Sequence, residues 1–121
     1  MLATTNFTAF GFRLVSAADG AACLHVPALP SNMRPGGIVA GYILIAAADV
    51  AVWLAIKTLF GIGDNSVTVD LHTAFLASTS SDVVCEARIV RSGRRIVTGV
   101  ATCSDDTRQL AQHTVTYARR D

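Results

Sequence analysis

Asp49 is the one charged side chain in residues 38–56, I-V-A-G-Y-I-L-I-A-A-A-D-V-A-V-W-L-A-I, where every other position is apolar or small. A segment that is apolar all round must be enclosed on several sides, by a sheet, by partner helices or by lipid. A carboxylate inside such an enclosure is costly unless it is paired, hydrogen-bonded or protonated, so Asp49 is a candidate general acid or base. Elsewhere, Arg91, Arg94 and Arg95 flank Ser92-Gly93. Guanidinium groups clustered this way suit phosphate oxygens, and a solvated hairpin tip has the same composition. Asp70 and His72 share one side of an alternating stretch and could pair, although an ordinary cross-strand contact gives the same pattern. His25 and His113 lack ligand spacing. Cys23, Cys85 and Cys103 are odd in number, far apart and in no C-x-x-C arrangement, which argues against a disulfide framework or a zinc site. They read as buried reduced thiols in a cytoplasmic protein. No motif calls for a metal or a cofactor.

The elements that must position these groups follow from punctuation and periodicity. Residues 7–10, F-T-A-F, suggest a helical lead-in, and G-F-R-L-V continues as a strand. Ala18-Asp19-Gly20 is a turn, and A-A-C-L-H-V-P is the second strand of a hairpin. Residues 27–37, P-A-L-P-S-N-M-R-P-G-G, hold three prolines and two glycines and are expected to be an irregular loop leading into a helix. The helix should begin between Val39 and Gly41 and stop at Gly61, with Lys57 suited to its C-terminal dipole. Four strands follow, starting S-V-T-V-D-L-H-T-A-F-L, with a tight turn at Ser92-Gly93. In the first of them Val67, Val69, Leu71 and Phe75 alternate with Thr68, Asp70 and His72, so the two sets should occupy opposite faces. One long apolar helix ahead of a curved antiparallel sheet provides the enclosure without lipid.

Composition sets limits on function. With 121 residues the chain is read as a single domain, residues 1–121. A net charge of +1 and 16% charged residues leave no broad electrostatic footprint for nucleic acid. Hydrophobic residues reach 51% with 7% aromatic, an Ala, Val, Ile and Leu core whose surplus suggests further burial between subunits. The N-terminus lacks the basic start, apolar core and small-residue site of a secretory signal.

R-P-G-G-I-V-A-G before the helix, A-A-A-D-V-A within it, S-V-T-V-D-L-H-T-A-F-L, R-S-G-R-R-I-V and A-Q-H-T-V-T-Y together resemble the hotdog fold. Within that fold they are similar to the PaaI-like acyl-CoA thioesterases, over roughly residues 11–118. The resemblance implies an α+β hotdog, one long central helix wrapped by a curved antiparallel sheet of about six strands. It also implies a homodimer, sometimes a dimer of dimers, that cleaves the thioester of an acyl- or aryl-CoA between subunits. On that likeness Asp49 matches the family's helix acid, the general base or nucleophile. Gly41 matches the glycine whose N–H at the helix N-terminus polarises the carbonyl, a place suited to an oxyanion. Thr68 matches a hydroxyl residue that helps place the attacking water. Arg91, Arg94 and Arg95 would hold the phosphates of coenzyme A. Tyr42 and Trp53 would line the acyl pocket or an interface. Many relatives carry His-Gly-Gly where this chain has Ala40-Gly41-Tyr42, and their upstream Asn falls on Arg34, with Asn32 nearby.

Eight positions along a helix put Gly41 and Asp49 about 12 Å apart. One carbonyl cannot lie ~3 Å from both, so if both act they come from different chains. Two alternatives stand beside hydrolysis. A hotdog protein could bind acyl-CoA without cleaving it, as the missing histidine suggests. A single membrane span is the other, against which a central Asp costs ~2.5–3.5 kcal/mol and the strand-rich remainder fits poorly.

Overall fold

A computed structural model of the chain describes residues 10–120. In chain order it contains β1 (Arg13–Ala18), β2 (Ala21–Val26), a short 3-10 turn (Pro30–Asn32), β3 (Met33–Arg34), β4 (Ile38–Val39) and α1 (Gly41–Phe60). Four further strands follow: β5 (Val67–Phe75), β6 (Val83–Ser92), β7 (Ile96–Ser104) and β8 (Gln109–Ala118). The long strands form one sheet in the order β1-β2-β6-β7-β8-β5, each pair antiparallel. α1 lies across the inner face of that sheet, as a hotdog fold requires. The helical lead-in expected over residues 7–10 falls largely outside the described residues.

Local chemistry sets the boundaries. Asp19 and Gly20 both take positive φ, 55° and 80°, the two-residue turn that matches strand twist between β1 and β2. Gly61, at φ 94°, stops α1 and donates its N–H to the Lys57 carbonyl at 2.8 Å. The sheet under the helix presents aligned rows. One is Ala22, Ala87, Ala101, His113 and Thr73; the next is Ile89, Gly99, Val115 and Leu71. The small members let α1 sink until Ile43, Leu54 and Ile56 are fully shielded. Each such side chain contributes about 2 kcal/mol of apolar burial. α1 has the length and hydropathy of a membrane span, and most of it is buried inside the protein.

Four expectations need correction. The proline-rich stretch is not wholly irregular: Met33 pairs with Val39 and Arg34 with Ile38, closed by Gly36 and Gly37 at φ 104° and 75°. Ser92 still pairs with Val97, so the turn lies one step later, at residues 93–95, with the Gly93 N–H on the Ile96 carbonyl at 2.9 Å. The alternation in β5 is broken by a bulge at Val69, between Thr68 (opposite Tyr117) and Asp70 (opposite Thr116). Thr68 therefore shares the helix side with Leu71 and Thr73, while Val67 and Val69 are exposed. Finally, α1 is not enclosed all round. A stripe through Tyr42, Ile45, Asp49, Trp53 and Lys57 is less covered than the rest, and Asp49 is half-buried on it.

Candidate functional site

Asp49 sits mid-helix, facing the end of the sheet where β5 and β8 pair. Thr68 and Tyr117 are opposite one another in that ladder. The Thr68 hydroxyl donates to Asp49 Oδ1 at 2.8 Å, and the Tyr117 hydroxyl reaches the same oxygen at 2.8 Å and the Asp49 main-chain carbonyl at 3.1 Å. The carboxylate borders a cleft of about 280 Å³, walled by Val50, Trp53, Ser66 and Val67. Burial first, and the Asp49 carboxylate second, push the Tyr117 phenol above the ordinary tyrosine range, with Thr68 acting the other way. Its hydroxyl therefore keeps its hydrogen and remains a donor. A carboxylate that borders a cleft and has one oxygen held by two hydroxyls can take a proton from water or attack an electrophilic carbon.

Gly41 is the first residue of α1, at the far end of the same sheet. Among the described residues no side chain caps this helix end and no acid occupies its first turn; the Ile43 N–H bonds the Ala40 carbonyl at 3.0 Å, and the Gly41 and Tyr42 N–H groups ahead of it are available to an anion. A second cavity of about 260 Å³ opens there, bordered by Arg34, Ile38, Leu44, Phe75 and Thr79. The Phe75 ring lies across Gly41, where a Cβ would stand 3.1 Å from its Cζ. The structure thus brings Asp49, Thr68 and Trp53 together and keeps Gly41 and Arg34 in a separate cavity of the same protomer.

The remaining candidates divide. Asn32 is fully buried and borders neither cavity; its Nδ2 donates to the Phe10 and Pro27 carbonyls at 2.9 Å each, and its own main-chain carbonyl accepts from the Ala40 N–H at 2.9 Å. It pins the loop that sets the start of α1. Tyr42 is 63% exposed and borders neither cavity. Arg91, Arg94 and Arg95 are exposed at the β6–β7 hairpin. Val97, just after that hairpin, is the ladder partner of Tyr117, which places the arginines at the Asp49 end of the sheet. Lys57 Nζ lies 4.7 Å from the centre of the Trp53 ring. Asp70 and His72, two positions apart on the outer side of β5, are exposed.

Two features were missed by sequence reasoning. Tyr117 follows Val115, His113 and Ala111 at alternate positions on the inner face of β8, and a buried tyrosine usually finds a partner for its hydroxyl. That alternation was the available signal. The other is a buried polar cluster: Thr73 Oγ1 lies 2.8 Å from His113 Nδ1, and His113 Nε2 lies 3.4 Å from Cys103 Sγ. Cys103 stands directly opposite Cys85. The hydrogen bond from Cys85, then His113, pulls the Cys103 thiol down to about 6 against the cost of burial, while Cys85 is pushed well up. Cys23, by contrast, is only half-buried.

The sequence model of the thioesterase superfamily matches residues 36–112. No match is found among curated proteins. Among solved structures, the conserved protein PA5202 from Pseudomonas aeruginosa is 25% identical, with a TM-score of 0.92 over 97% of this chain and 94% of that one. A variant of the phenylacetic acid degradation protein PaaI from Thermus thermophilus is 23% identical, with a TM-score of 0.86 over 94% and 97%. Thioesterase HI1161 from Haemophilus influenzae is 17% identical, with a TM-score of 0.91 over 99% and 85%. The family match covers all of α1, β5, β6 and β7 and the start of β8, and the chain belongs to the thioesterase superfamily, with the hotdog fold of a thioester hydrolase.

Proposed function

We propose that the chain hydrolyses acyl- or aryl-CoA thioesters at a site assembled from two copies of itself. Asp49 of one copy would act on water, or directly on the carbonyl carbon, and the Gly41 N–H of the other would receive the developing oxyanion. The observation that carries this reading is the division of the protomer into two half-sites. One holds a carboxylate beside a cleft and the other an uncapped helix N-terminus, separated by eight residues of helix, about 12 Å. A second copy set against the less covered stripe of α1 and the free edge of β5 would bring the unlike halves together. Exposed Val67, Val69 and Phe75 on that edge strand support such a pairing.

In this arrangement Asp49 takes the proton of the attacking water, the tetrahedral intermediate places its negative oxygen on the helix N-terminus, and collapse releases the coenzyme A thiolate. Arg91, Arg94 and Arg95, at the Asp49 end of the sheet, would meet the phosphates of the nucleotide. Trp53 would wall the acyl group. The test is release of free thiol from a panel of acyl- and aryl-CoA thioesters by the wild-type protein and by Asp49→Asn. A loss of about 100- to 10,000-fold in kcat is expected of the variant; undiminished turnover rules the mechanism out.

A second reading has one specific support. Ala40, buried and apolar, stands where many relatives place a histidine. Saturable acyl-CoA binding with no thiol release across the whole panel would identify a ligand-binding hotdog protein instead.

A further inference from the structure

We infer that Tyr117 is a positioning residue for Asp49, fixing the orientation of the reacting carboxylate. This inference rests on the reading of Asp49 as the reacting acid. Tyr117 projects from β8 and borders the Asp49 cleft with only 3% of its surface exposed, and its one polar side-chain atom is spent on Asp49. The hydroxyl is shared between Oδ1 and the main-chain carbonyl of the same residue, at 2.8 and 3.1 Å. A single group thus ties the carboxylate to its own backbone and holds the side-chain rotamer.

Thr68 completes the clamp from the opposite strand, donating to the same Oδ1 at 2.8 Å. The bulge at Val69 makes this possible, because it lets Thr68 face α1 while Leu71 and Thr73 keep the helix side beyond it. Among the described residues, two hydroxyls converge on Oδ1 and no hydrogen bond is made to Oδ2. Turning the carboxylate out of this plane would break both bonds. With Oδ1 held twice, Oδ2 is left as the oxygen with lone pairs uncommitted to these hydroxyls, and the carboxylate plane is fixed beside the cleft that Asp49 borders. Orientation of this kind acts on kcat, since misplacing a reacting group by about 1 Å can cost 100-fold in rate.

The experiment compares Tyr117→Phe, Thr68→Val and the double variant on any CoA thioester that the wild-type protein cleaves, with Asp49→Asn as the reference. Each single variant is expected to lower kcat by about 10-fold and to leave KM within about two-fold, as loss of orientation predicts. The double variant should lose more than the product of the singles, because either hydroxyl alone can hold Oδ1. A purely structural tyrosine would change the melting temperature and leave kcat and the coupling untouched. Thr68→Val, on the partly exposed edge strand, keeps the test valid should Tyr117→Phe fold poorly. An inactive Asp49→Asn beside fully active Tyr117→Phe and Thr68→Val overturns the positioning role and spares the Asp49 mechanism. Wild-type turnover in Asp49→Asn, or no thiol release by the wild-type protein, overturns both.

Discussion

Gly99 of β7 lies directly beneath Val52 of α1: a Cβ built on Gly99 would stand 2.8 Å from Val52 Cγ1 and 3.2 Å from the Arg88 carbonyl. Helix and sheet meet there with no room for a methyl group, and both residues are buried. Val52 is one turn beyond Asp49, so the depth of this contact also sets the height of the carboxylate above Thr68 and Tyr117. Gly99→Ala is expected to destabilise the protein by about 1–3 kcal/mol, read as a melting temperature lowered by several degrees. Val52→Ala in the same chain should recover part of that loss, and strict additivity of the two changes would show that the contact is not the cause.

Gly41 presents the opposite case. A methyl group there would come within 3.1 Å of Phe75 Cζ, but Phe75 is 55% exposed and its ring has solvent to move into. Alanine is also the better helix former. Gly41→Ala should therefore keep or slightly raise the melting temperature while lowering kcat/KM by about 10-fold or more, because the methyl group and the displaced ring crowd the approach to the helix N-terminus. Thermal unfolding and thiol release on the same preparation check it; unchanged kcat/KM would remove Gly41 from the proposed site.

The helix and the individual strands were legible because they depend on local signals: an apolar run ended by glycine, alternating strands, and an Asp-Gly turn. What escaped is non-local. The bulge at Val69 exists only in relation to β8, and a period-2 pattern continues straight through it on paper, which put Thr68 on the wrong face. Tyr117 lies 68 positions from Asp49, and nothing short-range links them. Asn32 looked like a polar residue in a functional loop. Its Nδ2 instead holds that loop together, a role that needs the Phe10 and Pro27 carbonyls in place to be seen. The half-coverage of Asp49 was also invisible, because all-round hydrophobicity does not say how much of the cover comes from the chain itself.

The thiol cluster gives stability a signature in pH. Folding lowers the Cys103 thiol from 9.0 to about 6 and raises Cys85. Between about pH 6 and 9 the folded pair has released a proton that the unfolded chain retains, so the unfolded state binds more protons and stability rises with pH. Above about pH 9 the unfolded chain loses both thiol protons while folded Cys85 keeps its own, and stability falls again. The difference in melting temperature between wild type and Cys103→Ala should accordingly widen from about pH 6 to 9. A difference that stays flat across that window would show that the cluster does not ionise in the folded protein.

The less covered stripe of α1 and the free edge of β5 lead to the last prediction. Val67 and Val69 are 40% and 56% exposed on an edge strand whose outer hydrogen-bonding groups have no partner strand within the described residues of the protomer. Charged residues on such an edge oppose strand-to-strand association. Val69→Lys is expected to shift the molar mass in light scattering from twice 12.7 kDa to 12.7 kDa, and thiol release should disappear with the dimer. The coupling of the two losses is the informative part, because Val69 borders neither cavity, whereas a site shared between copies needs both halves. A monomer that keeps turning over would mean that Asp49 and Gly41 do not meet across an interface.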